Sequence, residues 1–496
     1  MAISKACSIV AFAPLLLLNL LVAPTAAVKV AIIGSGVAGS SAAYFLNKED
    51  PTHEVHVFEQ HEYVGGRVKD VYLAGDRFEA GATIVHRLNK HMMGFAKMLN
   101  LTEAEPVYVG PSLGIWNGHE FVLRLDSVVG SGAWWARFLD SWVTRMRMLW
   151  RYGLSPIWEQ QYVTAMLANF TTIYDKIAVT PYASMEALLS DMGLYAPTQR
   201  QLAEELLAHG VDPLFINEIC VAISRINYGQ NTTISGLAGG VSMAGGDGNT
   251  VGFAQGLQRI PEGLLALSGA TVHLNTTVLS VTTTPKGYKL ETTNPQAPNL
   301  FDAVLVATPL ENAPNLHFNP AVKVPPRKMQ TTHATFLRGN LNPAFFGQPS
   351  GTDLPKLIAT TESPAVNFSS IGVIRAYPDR GDFAFKVFSR EKLDDAALDQ
   401  IFRQRNETVR VEWSAYPHYS APEIFAPIKF DEKGLLYYIN SYENAASATE
   451  CAALFAENVV RLLLHDLSAR KVNACGWRGE EQAFDVTDSG QKTCVS

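Results

Sequence analysis

The feature that most constrains this chain is a glycine-rich turn between an apolar segment and a helix-like segment near the N-terminus. The stretch VKVAIIGSGVAGSSAAYFL carries Gly34, Gly36 and Gly39 in the spacing G-x-G-x-x-G. The first glycine permits a tight turn, the second lets a pyrophosphate approach the backbone, and the third lets helix and strand pack closely. A second apolar stretch, HEVHVFEQ, ends at Glu59, where a carboxylate can accept both hydroxyls of a ribose. Together these segments predict a dinucleotide-binding unit.

A second glycine motif follows the acidic residue. The stretch EQHEYVGGRV places Gly65, Gly66 and Arg67 shortly after Glu59. It resembles the extended motif of the amine-oxidase-like flavoproteins, in which the glycine pair runs along the diphosphate of FAD and the arginine reaches a phosphate. Arginine suits that position because its planar fork matches phosphate oxygens. The resemblance therefore implies FAD rather than NAD as the cofactor.

Residues 78–89, FEAGATIVHRLN, change from small residues to bulky ones and then to a histidine. The stretch Glu79–Ala82 resembles the part of the same superfamily that passes beside the isoalloxazine ring, which assigns Ala82 and Thr83 to the cofactor site. Small side chains are needed there because the backbone must lie close to a flat ring system. The bulkier residues that follow can pack beneath the ring, so that His86 emerges near its reactive face.

Later segments complete the predicted cofactor domain. The stretch GATVHLNTTVLSVTTTPKGYKLETT alternates like a β-meander, and by resemblance its Val278 touches adenine through the backbone. The buried strand in FDAVLVATPL ends in the turn 307–309, which matches a cofactor-side loop of the same flavoproteins. The stretch LLYYINSYENAASATECAALFAENVVRLLL combines a strand, a polar turn and a long helix. Glu443 and Asn444 are predicted against the flavin where that helix begins.

These segments predict an α/β fold in which a Rossmann-like FAD-binding domain is built from discontinuous segments and accompanied by a mixed α+β substrate domain. Two units are expected because 496 residues exceed what one core usually holds. The predicted parts are a signal peptide over 1–27, an FAD-binding domain over 28–102, 231–317 and 429–470, a substrate-binding domain over 103–230 and 318–428, and a C-terminal tail over 471–496.

The predicted substrate domain contains an aromatic stripe at helical spacing. The stretch WWARFLDSWVTRMRMLWRYG spaces Trp134, Trp142 and Trp150 along one helix. Such a stripe is most often buried core, but it can also line a long apolar ligand or touch a membrane surface, and both can hold for a lipid-derived ligand. Arg225 and Tyr228 follow at the junction with the cofactor domain, where they either anchor a loop or line a pocket between the domains.

The N-terminus and the composition indicate the secretory pathway. Residues 1–27 combine one lysine, an apolar run and small residues, which is the layout of a secretory signal. The acceptor triplets for N-glycans begin at Asn100, Asn169, Asn231, Asn275, Asn367 and Asn406. Cys475 and Cys494 could pair across the tail, whereas Cys451 is predicted to be core. A net charge of −7 argues against a nucleic-acid partner, and no Cys/His spacing predicts a metal site.

Four stretches carry a closer resemblance, which extends over about residues 29–465. They read GATIVHRLNKHM, RINYGQNTTISGLAGGVSM, AYPHYSAPEIFAP and LLYYINSYENAASATECAA. By these stretches the chain is similar to the prenylcysteine oxidase and farnesylcysteine lyase family. It departs from the family at Ala254-Gln255-Gly256, where a glycine pair is expected.

The resemblance implies FAD, oxygen as electron acceptor, and oxidative cleavage of the thioether in farnesyl- or geranylgeranyl-cysteine, left by the degradation of prenylated proteins. The implied products are free cysteine, a prenyl aldehyde and hydrogen peroxide. It also implies a lysosomal or vacuolar address, with the cell surface and the secreted fluid as alternatives.

This reaction needs a positioned water and a group that accepts its proton. The allylic carbon beside the sulfur carries activated hydrogens. Once a hydride has been removed from this carbon, water can add to it. His86 is the predicted base because imidazole titrates near neutral pH, although a histidine bonded only to backbone is the alternative. Protonated His86 or Arg87 is predicted to aid reoxidation by oxygen, and Arg225 or Arg87 is expected to bind the substrate carboxylate. The candidate walls for the isoprenoid tail are Trp134, Trp142, Trp150 and Phe170.

Other interpretations share some of these motifs. An amine or polyamine oxidase would have FAD and an aromatic pair around the amine, and Tyr438 lies near the place of one member. A carotenoid-desaturase-like enzyme would pass electrons to a quinone and release little peroxide. An FAD-stabilised secreted binding protein would carry a flavin that no thioether reduces. Peripheral membrane contact is a further hypothesis, and the oligomeric state is not determined by the sequence.

Overall fold

The computed structural model describes residues 27–104, 112–125, 134–246, 248–350 and 353–477, and for 134–142 and 471–477 it describes the backbone alone. The predicted signal peptide, apart from Ala27, and the tail beyond residue 477 lie outside the described residues. The side chains of Trp134, Trp142 and Cys475 also lie outside them, as does Cys494. The substrate role of Trp134 and the pairing of Cys475 with Cys494 therefore stay predictions.

The strands are short in the N-terminal half and longer in the C-terminal half. In chain order they are β1 (Lys29–Ile33), β2 (Glu54–Phe58), β3 (Asp70–Leu73), β4 (Asp76–Glu79), β5 (Val85–His86), β6 (Glu103–Ala104), β7 (Leu113–Trp116), β8 (Phe121–Leu125), β9 (Thr250–Phe253), β10 (Thr271–His273), β11 (Val278–Thr284), β12 (Gly287–Thr292), β13 (Leu300–Phe301), β14 (Ala303–Val306), β15 (His317–Asn319), β16 (Met329–Leu341), β17 (Leu357–Thr360), β18 (Ser370–Tyr377), β19 (Asp382–Ser389), β20 (Phe402–Pro417) and β21 (Leu436–Tyr438).

Most helices lie between β8 and β9 or follow β21. In chain order they are α1 (Val37–Glu49), α2 (Lys90–Met98), α3 (Trp134–Tyr152), α4 (Ser155–Thr171), α5 (Ile173–Val179), α6 (Met185–Asp191), α7 (Leu202–Ala208), α8 (Pro213–Phe215), α9 (Val221–Tyr228), α10 (Gly236–Ala244), α11 (Arg259–Ser268), α12 (Asp395–Ile401) and α13 (Thr449–Trp477). A π-helical turn, Ile216–Cys220, joins α8 to α9, and a 3₁₀ turn, Ile439–Asn444, follows β21. None of the described helices has the length and hydropathy that crossing a bilayer requires.

The glycine motif joins β1 to α1 at the edge of a parallel sheet. This sheet has the strand order β10-β2-β1-β14-β21, and each of its pairings is parallel. β1 reads KVAII and is almost fully buried, as expected for a parallel strand covered on both faces, and α1 packs against α11 and α13. The carboxyl ends of the strands therefore meet at one edge, which confirms the predicted Rossmann-like α/β architecture.

Two mixed, mainly antiparallel sheets accompany the parallel sheet. The hairpin of the predicted β-meander is confirmed, because β11 and β12 pair antiparallel around a turn at Lys286, in a sheet with the order β13-β12-β11-β15. The first strand of the same stretch, β10, joins the parallel sheet instead. A larger sheet has the order β20-β16-β19-β18-β17-β7-β8 and forms the platform of the second half of the molecule. The predicted aromatic helix is present as α3, and α9 lies against β17 of the larger sheet.

The predicted domain boundaries differ from the packing at two places. The boundary between residues 317 and 318 falls inside β15. Helix α10, which was assigned to the cofactor domain, packs against α4 and α7 of the predicted substrate domain. Its small residues permit this, since a Cβ at Gly239 would lie 2.6 Å from a methyl carbon of Leu202. The predicted boundary after residue 230 therefore separates α10 from the helices against which it packs.

Candidate active site

One cavity of about 980 Å³ extends from the carboxyl edge of the parallel sheet into the second half of the molecule. At one end it is lined by the glycine turn after β1, the end of β2 and the turn after β14. At the other end it is lined by α4, the π-helical turn, α9 and the strands β7 and β17. A single space thus joins the predicted nucleotide edge to the predicted substrate domain, as is common for ligand sites between domains.

The glycine motif forms the tight crossing that its spacing predicts. Gly34 has a φ of +107°, and a Cβ there would lie 2.9 Å from the carbonyl oxygen of Ala307. Gly39 sits over this turn, since its Cβ would lie 1.9 Å from the carbonyl oxygen of Gly34. Gly36 lines the cavity and has room, with the carbonyl oxygen of Gly65 3.8 Å from its Cβ position. The backbone at Gly36 and the first turn of α1 are therefore open to a phosphate.

Glu59 lies at the end of β2 and lines the same cavity. Its Oε2 accepts the backbone N–H of Ser35 at 3.0 Å and the Ser35 hydroxyl at 2.7 Å. Its Oε1 accepts the backbone N–H of His61 at 3.0 Å and contacts His61 Nδ1 at 2.7 Å. These contacts hold the carboxylate beside the glycine turn, where the sequence predicts a partner for ribose hydroxyls.

The second glycine motif lies directly against the first. The backbone N–H of Gly65 donates to the carbonyl of Ser35 at 3.2 Å, and Gly65 and Gly66 have φ values of +127° and +57°. Arg67 follows at the cavity wall, where its guanidinium donates to the carbonyl of Ala415 at 2.6 Å and to the carboxylate of Glu443. The two glycine motifs thus form one continuous wall, which no local spacing in the sequence specifies.

The side chains of Glu443 and Asn444 are not among those that line the cavity. Glu443 is fully buried behind Arg67, and its Oε2 lies 3.1 Å from a guanidinium nitrogen of Arg327. Arg327 also binds Glu311 at 2.9 and 2.7 Å and donates to Asn444 Oδ1 at 3.1 Å. The structure therefore gives Glu443 and Asn444 a supporting position behind the wall that the two glycine motifs and Arg67 form. Arg327, which ties them together, has no local sequence signal.

Glu423 ends this buried network and is expected to make stability depend on pH. It accepts the N–H of Ser420 at 2.8 Å and the amide of Asn444 at 2.9 Å, but burial raises its pKa from 4.5 to about 7. A carboxyl whose folded pKa is raised stabilises the fold fully below the unfolded pKa, and that contribution is lost as the pH rises through the folded pKa. The loss falls between pH 4.5 and about 7, and we expect roughly 1–3 kcal/mol.

The test compares urea unfolding at pH 5 and pH 7.5 in the parent and in Glu423→Gln. The variant should show a smaller difference between the two pH values because it cannot titrate at this position. Burial lowers the pKa of His273, so this residue makes stability rise with pH, which is the opposite effect. His273 is present in both proteins, and its contribution therefore cancels in the comparison. An equal pH difference in both proteins would contradict the assignment to Glu423.

The strip of small residues after β4 lies along the cavity, as predicted. Ala82 and Thr83 line it, and a Cβ at Gly81 would lie 1.9 Å from the carbonyl oxygen of Arg67. Behind the strip the buried Lys386 donates to the carbonyl of Glu79 at 2.9 Å and to that of Gly81 at 3.2 Å. Burial lowers the pKa of Lys386 and raises that of the Glu79 carboxyl. A buried ammonium that the sequence did not reveal thus holds the carbonyls of this strip.

His86 lines the cavity at the end of β5, opposite Thr250 of β9. Its Nδ1 accepts the backbone N–H of Leu88 at 3.2 Å. In the neutral ring this bond places the proton on Nε2, so the ring is a donor at that atom. A proton could be accepted at Nε2 only if the ring first moved its own proton to Nδ1, which the Leu88 N–H opposes. This bond occupies the ring atom at which the neutral imidazole would accept a proton, and the role of His86 as a base stays a prediction.

The two arginines predicted to bind substrate do not line the cavity. Arg225 is 3% exposed and directs its guanidinium to Thr360 at 2.9 Å, Glu362 at 2.8 Å and the carbonyl of Phe368 at 3.0 Å. Arg87 is half exposed and pairs with Glu103 at 2.9 Å. Neither guanidinium lines the cavity, because Arg225 ties α9 to the larger sheet and Arg87 is paired with Glu103.

Tyr228 and Phe170 do line the cavity. The hydroxyl of Tyr228 donates to the carbonyl of Ser447 at 3.1 Å, and its ring packs edge-on against Tyr416, which the sequence analysis missed. The side chains that form the apolar end are Leu113, Met166, Leu167, Phe170, Ile219 and Ile223.

Three further predicted contacts lie elsewhere. Trp150 is 89% exposed, so it is not a wall of the cavity. Tyr438 is buried beside Arg327 and does not line the cavity, and Val278 lies on β11 outside the lining. Residues 254–256, where the chain departs from the expected glycine pair, do not line the cavity: the carbonyl of Ala254 accepts from Arg77 at 2.7 Å, and the side chain of Gln255 accepts the N–H of Thr102 at 2.9 Å.

Comparisons with known proteins agree with this architecture. The model of the prenylcysteine lyase family matches residues 138–474, and that of the NAD(P)-binding Rossmann-like domain matches residues 32–99. A farnesylcysteine lyase of Arabidopsis thaliana is 40% identical over 88% of both chains, and a prenylcysteine oxidase 1 of Homo sapiens is 31% identical over 88% of this chain and 89% of its own. The solved structure of a putrescine oxidase bound to putrescine superimposes with a TM-score of 0.55 at 14% identity, over 89% of this chain and 100% of its own, a likeness of fold alone.

The family match and the relatives cover the second half of the molecule as well as the nucleotide edge. The apolar end of the cavity, which α4 and α9 form, lies inside the matched region. The chain belongs to the prenylcysteine lyase family.

Proposed function

We propose that this protein is an FAD-dependent thioether oxidase that cleaves farnesyl- or geranylgeranyl-cysteine to free cysteine, a prenyl aldehyde and hydrogen peroxide. The observation that carries the proposal is the single cavity that joins a dinucleotide edge to an apolar end. The relatives named farnesylcysteine lyase and prenylcysteine oxidase supply the substrate class. Oxidation of the substrate removes two electrons, water supplies the aldehyde oxygen, and oxygen takes the electrons and two protons.

The residues present fit FAD. Gly34, Gly36 and the first turn of α1 leave space for a pyrophosphate, and Glu59 lies where a ribose would need an acceptor. Arg67 adds a cation on the same wall, and the strip through Ala82 offers backbone with little side-chain bulk. When bound, FAD supplies a two-electron acceptor for the carbon beside the sulfur.

The protein's own contribution is to bind the tail, orient the thioether and control water. The apolar end favours an isoprenoid chain, because each buried CH₂ contributes about 0.8 kcal/mol. His86 and Thr250 add polar groups to this wall. Among the described lining residues, the arginine and lysine side chains, Arg67 and Lys69, belong to the cofactor wall. The zwitterionic end of the substrate is therefore expected to meet neutral donors.

The direct test adds farnesylcysteine to the purified yellow protein without oxygen. We expect the flavin absorbance near the visible maximum to disappear and cysteine to be released in equal amount, and admission of air should restore the absorbance with formation of peroxide. Spermine is the matched control for the amine-oxidase alternative. Bleaching by spermine alone, or by neither compound, would contradict the proposal, and reoxidation by a quinone without peroxide would favour a desaturase-like enzyme.

His86→Ala is expected to fold and bind FAD but to lower kcat by about 10- to 100-fold, because a positioned polar group at the reacting centre is lost. His86→Gln tests the role of the ring, since its amide can donate but cannot act as a base. Partial recovery in His86→Gln supports a donor, and equal loss in both variants supports the predicted base. Unchanged steady-state kinetics in His86→Ala would remove the residue from the mechanism.

The proposed location is the secretory pathway, with a lysosome or vacuole as the destination. The side chains of Asn100, Asn169, Asn275, Asn367 and Asn406 are exposed and that of Asn231 is partly exposed, so each acceptor triplet is within reach of solvent. The stabilising effect of Glu423 at acid pH also suits an acidic compartment. A mass shift after enzymatic removal of N-glycans would test the route.

We also propose that the corner between α3 and α4 contacts an anionic membrane surface. Trp150 is 89% exposed, and Leu154 and Ile157 are 47% and 52% exposed. The exposed Arg145 and Arg147 lie on the same helix and complement anionic lipid headgroups. Sedimentation with vesicles that contain phosphatidylserine should capture the parent and lose most of the Trp150→Ser/Ile157→Ser variant, whereas the control Leu300→Ser, on β13, should bind as the parent does. Equal capture of all three would exclude this surface.

A further inference from the structure

The strand order assigns each position on the cofactor edge to a part of FAD, if the proposed function is right. Glu59 follows β2, Gly34 follows β1, Ala307 follows β14 and Asn440 follows β21, and these strands are neighbours in that order. With about 4.8 Å between neighbouring strands, the end of β21 lies roughly 14 Å along the edge from that of β2. A ribose at Glu59 and a pyrophosphate at Gly34 leave the ends of β14 and β21 for the flavin half.

Asn440 is buried at this position with an unsatisfied oxygen. The side chain is 2% exposed and lines the cavity. Its Nδ2 donates to Oε1 of Glu443 at 3.1 Å, while Oδ1 has no hydrogen-bond partner among the described residues. The orientation of the amide follows from chemistry, because an ionised carboxylate only accepts and must therefore face the NH₂ group. The oxygen is thus directed away from Glu443.

A buried acceptor without a donor is costly and rare, which makes this oxygen informative. Other buried polar atoms in the described part of the chain also lack a hydrogen bond, among them Ser41 Oγ and Ser224 Oγ. Of the residues that carry such atoms, Asn440 alone lines the cavity. The missing donor is therefore expected from whatever fills the cavity, and the flavin half of FAD carries donors in its ribityl hydroxyls and ring imide.

We propose that Asn440 binds the flavin half of FAD by accepting a hydrogen bond at Oδ1, and that Glu443 is the residue that orients it. Glu443 receives both Asn440 and Arg67 on one carboxylate oxygen. It therefore presents an acceptor and a cationic donor side by side on the cavity wall. The inference rests on the proposed cofactor and adds Asn440, to which the sequence analysis assigned no role.

The experiment measures dissociation constants of FAD and of ADP, which lacks the flavin half, for the apoprotein and its variants. Asn440→Leu removes the acceptor and should weaken FAD on the order of tenfold while leaving ADP unchanged. Asn440→Asp keeps an acceptor but loses the donor to Glu443, and it should bind FAD more tightly than Asn440→Leu does. The control Asn458→Leu loses a buried amide whose oxygen and nitrogen both bond to the backbone of Tyr182. This variant should lower thermal stability but should leave the ratio of the FAD and ADP dissociation constants unchanged.

Unchanged FAD binding in Asn440→Leu would overturn the inference, as would equal loss of FAD and ADP affinity. Weaker FAD binding in Asn440→Asp than in Asn440→Leu would also overturn it, because the bond to Glu443 would then be the important one. Failure of the parent to bind FAD is a different result, since it would refute the proposed function itself.

Discussion

Gly36→Ala is expected to fold as the parent does and to lose FAD affinity on the order of 100-fold. The added methyl group meets no protein atom closer than the carbonyl oxygen of Gly65 at 3.8 Å, so the apoprotein accommodates it. Gly36 has a φ of −68°, which alanine adopts freely. The methyl group would instead occupy space on the cavity wall that a pyrophosphate needs.

Gly39→Ala is the matched comparison, and it should lower the stability of the fold itself. Its Cβ would lie 1.9 Å from the carbonyl oxygen of Gly34, where backbone meets backbone and no side chain can move aside. We expect a loss of about 3 kcal/mol or more in the free energy of unfolding, which the better helix propensity of alanine, about 1 kcal/mol, does not offset. Urea unfolding of the apoproteins and titration with FAD separate the two effects. Equal stability of both variants, or parental FAD affinity in Gly36→Ala, would contradict this account.

Arg327→Met is expected to lower the free energy of unfolding by about 3 kcal/mol, because it removes the cation that the buried Glu443 and the partly buried Glu311 share. Arg327 lies between Glu311 at 2.7 Å and Glu443 at 3.1 Å, and its side chain is 8% exposed. The loss should also reduce the flavin content of the purified protein, since Glu443 holds Arg67 on the cofactor wall.

The control for Arg327 is Arg259→Met, which breaks the exposed pair of Arg259 with Glu262. A surface pair of this kind contributes about 0–1 kcal/mol, so this variant should unfold as the parent does and keep its flavin. Urea unfolding and the ratio of flavin to protein absorbance measure both variants. If Arg327→Met matched the control, the buried network would not support the site.

The cofactor edge could be predicted because its signals are local. The spacing of Gly34, Gly36 and Gly39 predicts where the chain turns. The position of Glu59 then follows from the length of one helix and one strand. The small residues before His86 likewise indicate where a flat ring could lie close to the backbone. Each of these inferences needs only neighbours in sequence, and the structure brings the predicted residues together on one cavity.

The substrate end could not be predicted in the same way. Arg225 has the chemistry of a carboxylate ligand, but its partners Thr360, Glu362 and Phe368 lie at the end of β17 and in the loop that follows it, more than a hundred residues away. Trp150 belongs to an aromatic stripe that reads equally well as core, yet it is exposed. Asn440 lies in a stretch that carries the family resemblance, but nothing in that stretch distinguishes it, because its importance depends on an oxygen that finds no partner among the described residues.

By itself, the sequence predicted a Rossmann-like parallel sheet with a glycine-rich edge suited to a dinucleotide, and a second half that accompanies it. Only the tertiary structure decided which polar side chains face the cavity and which form the hydrogen bonds and ion pairs that support its walls. The physical reason is that strand and turn geometry follow from local spacing, whereas the direction of a buried side chain depends on partners from distant segments. Arg67, Arg327 and Glu443, joined in one buried network, exist as a site only in the folded chain.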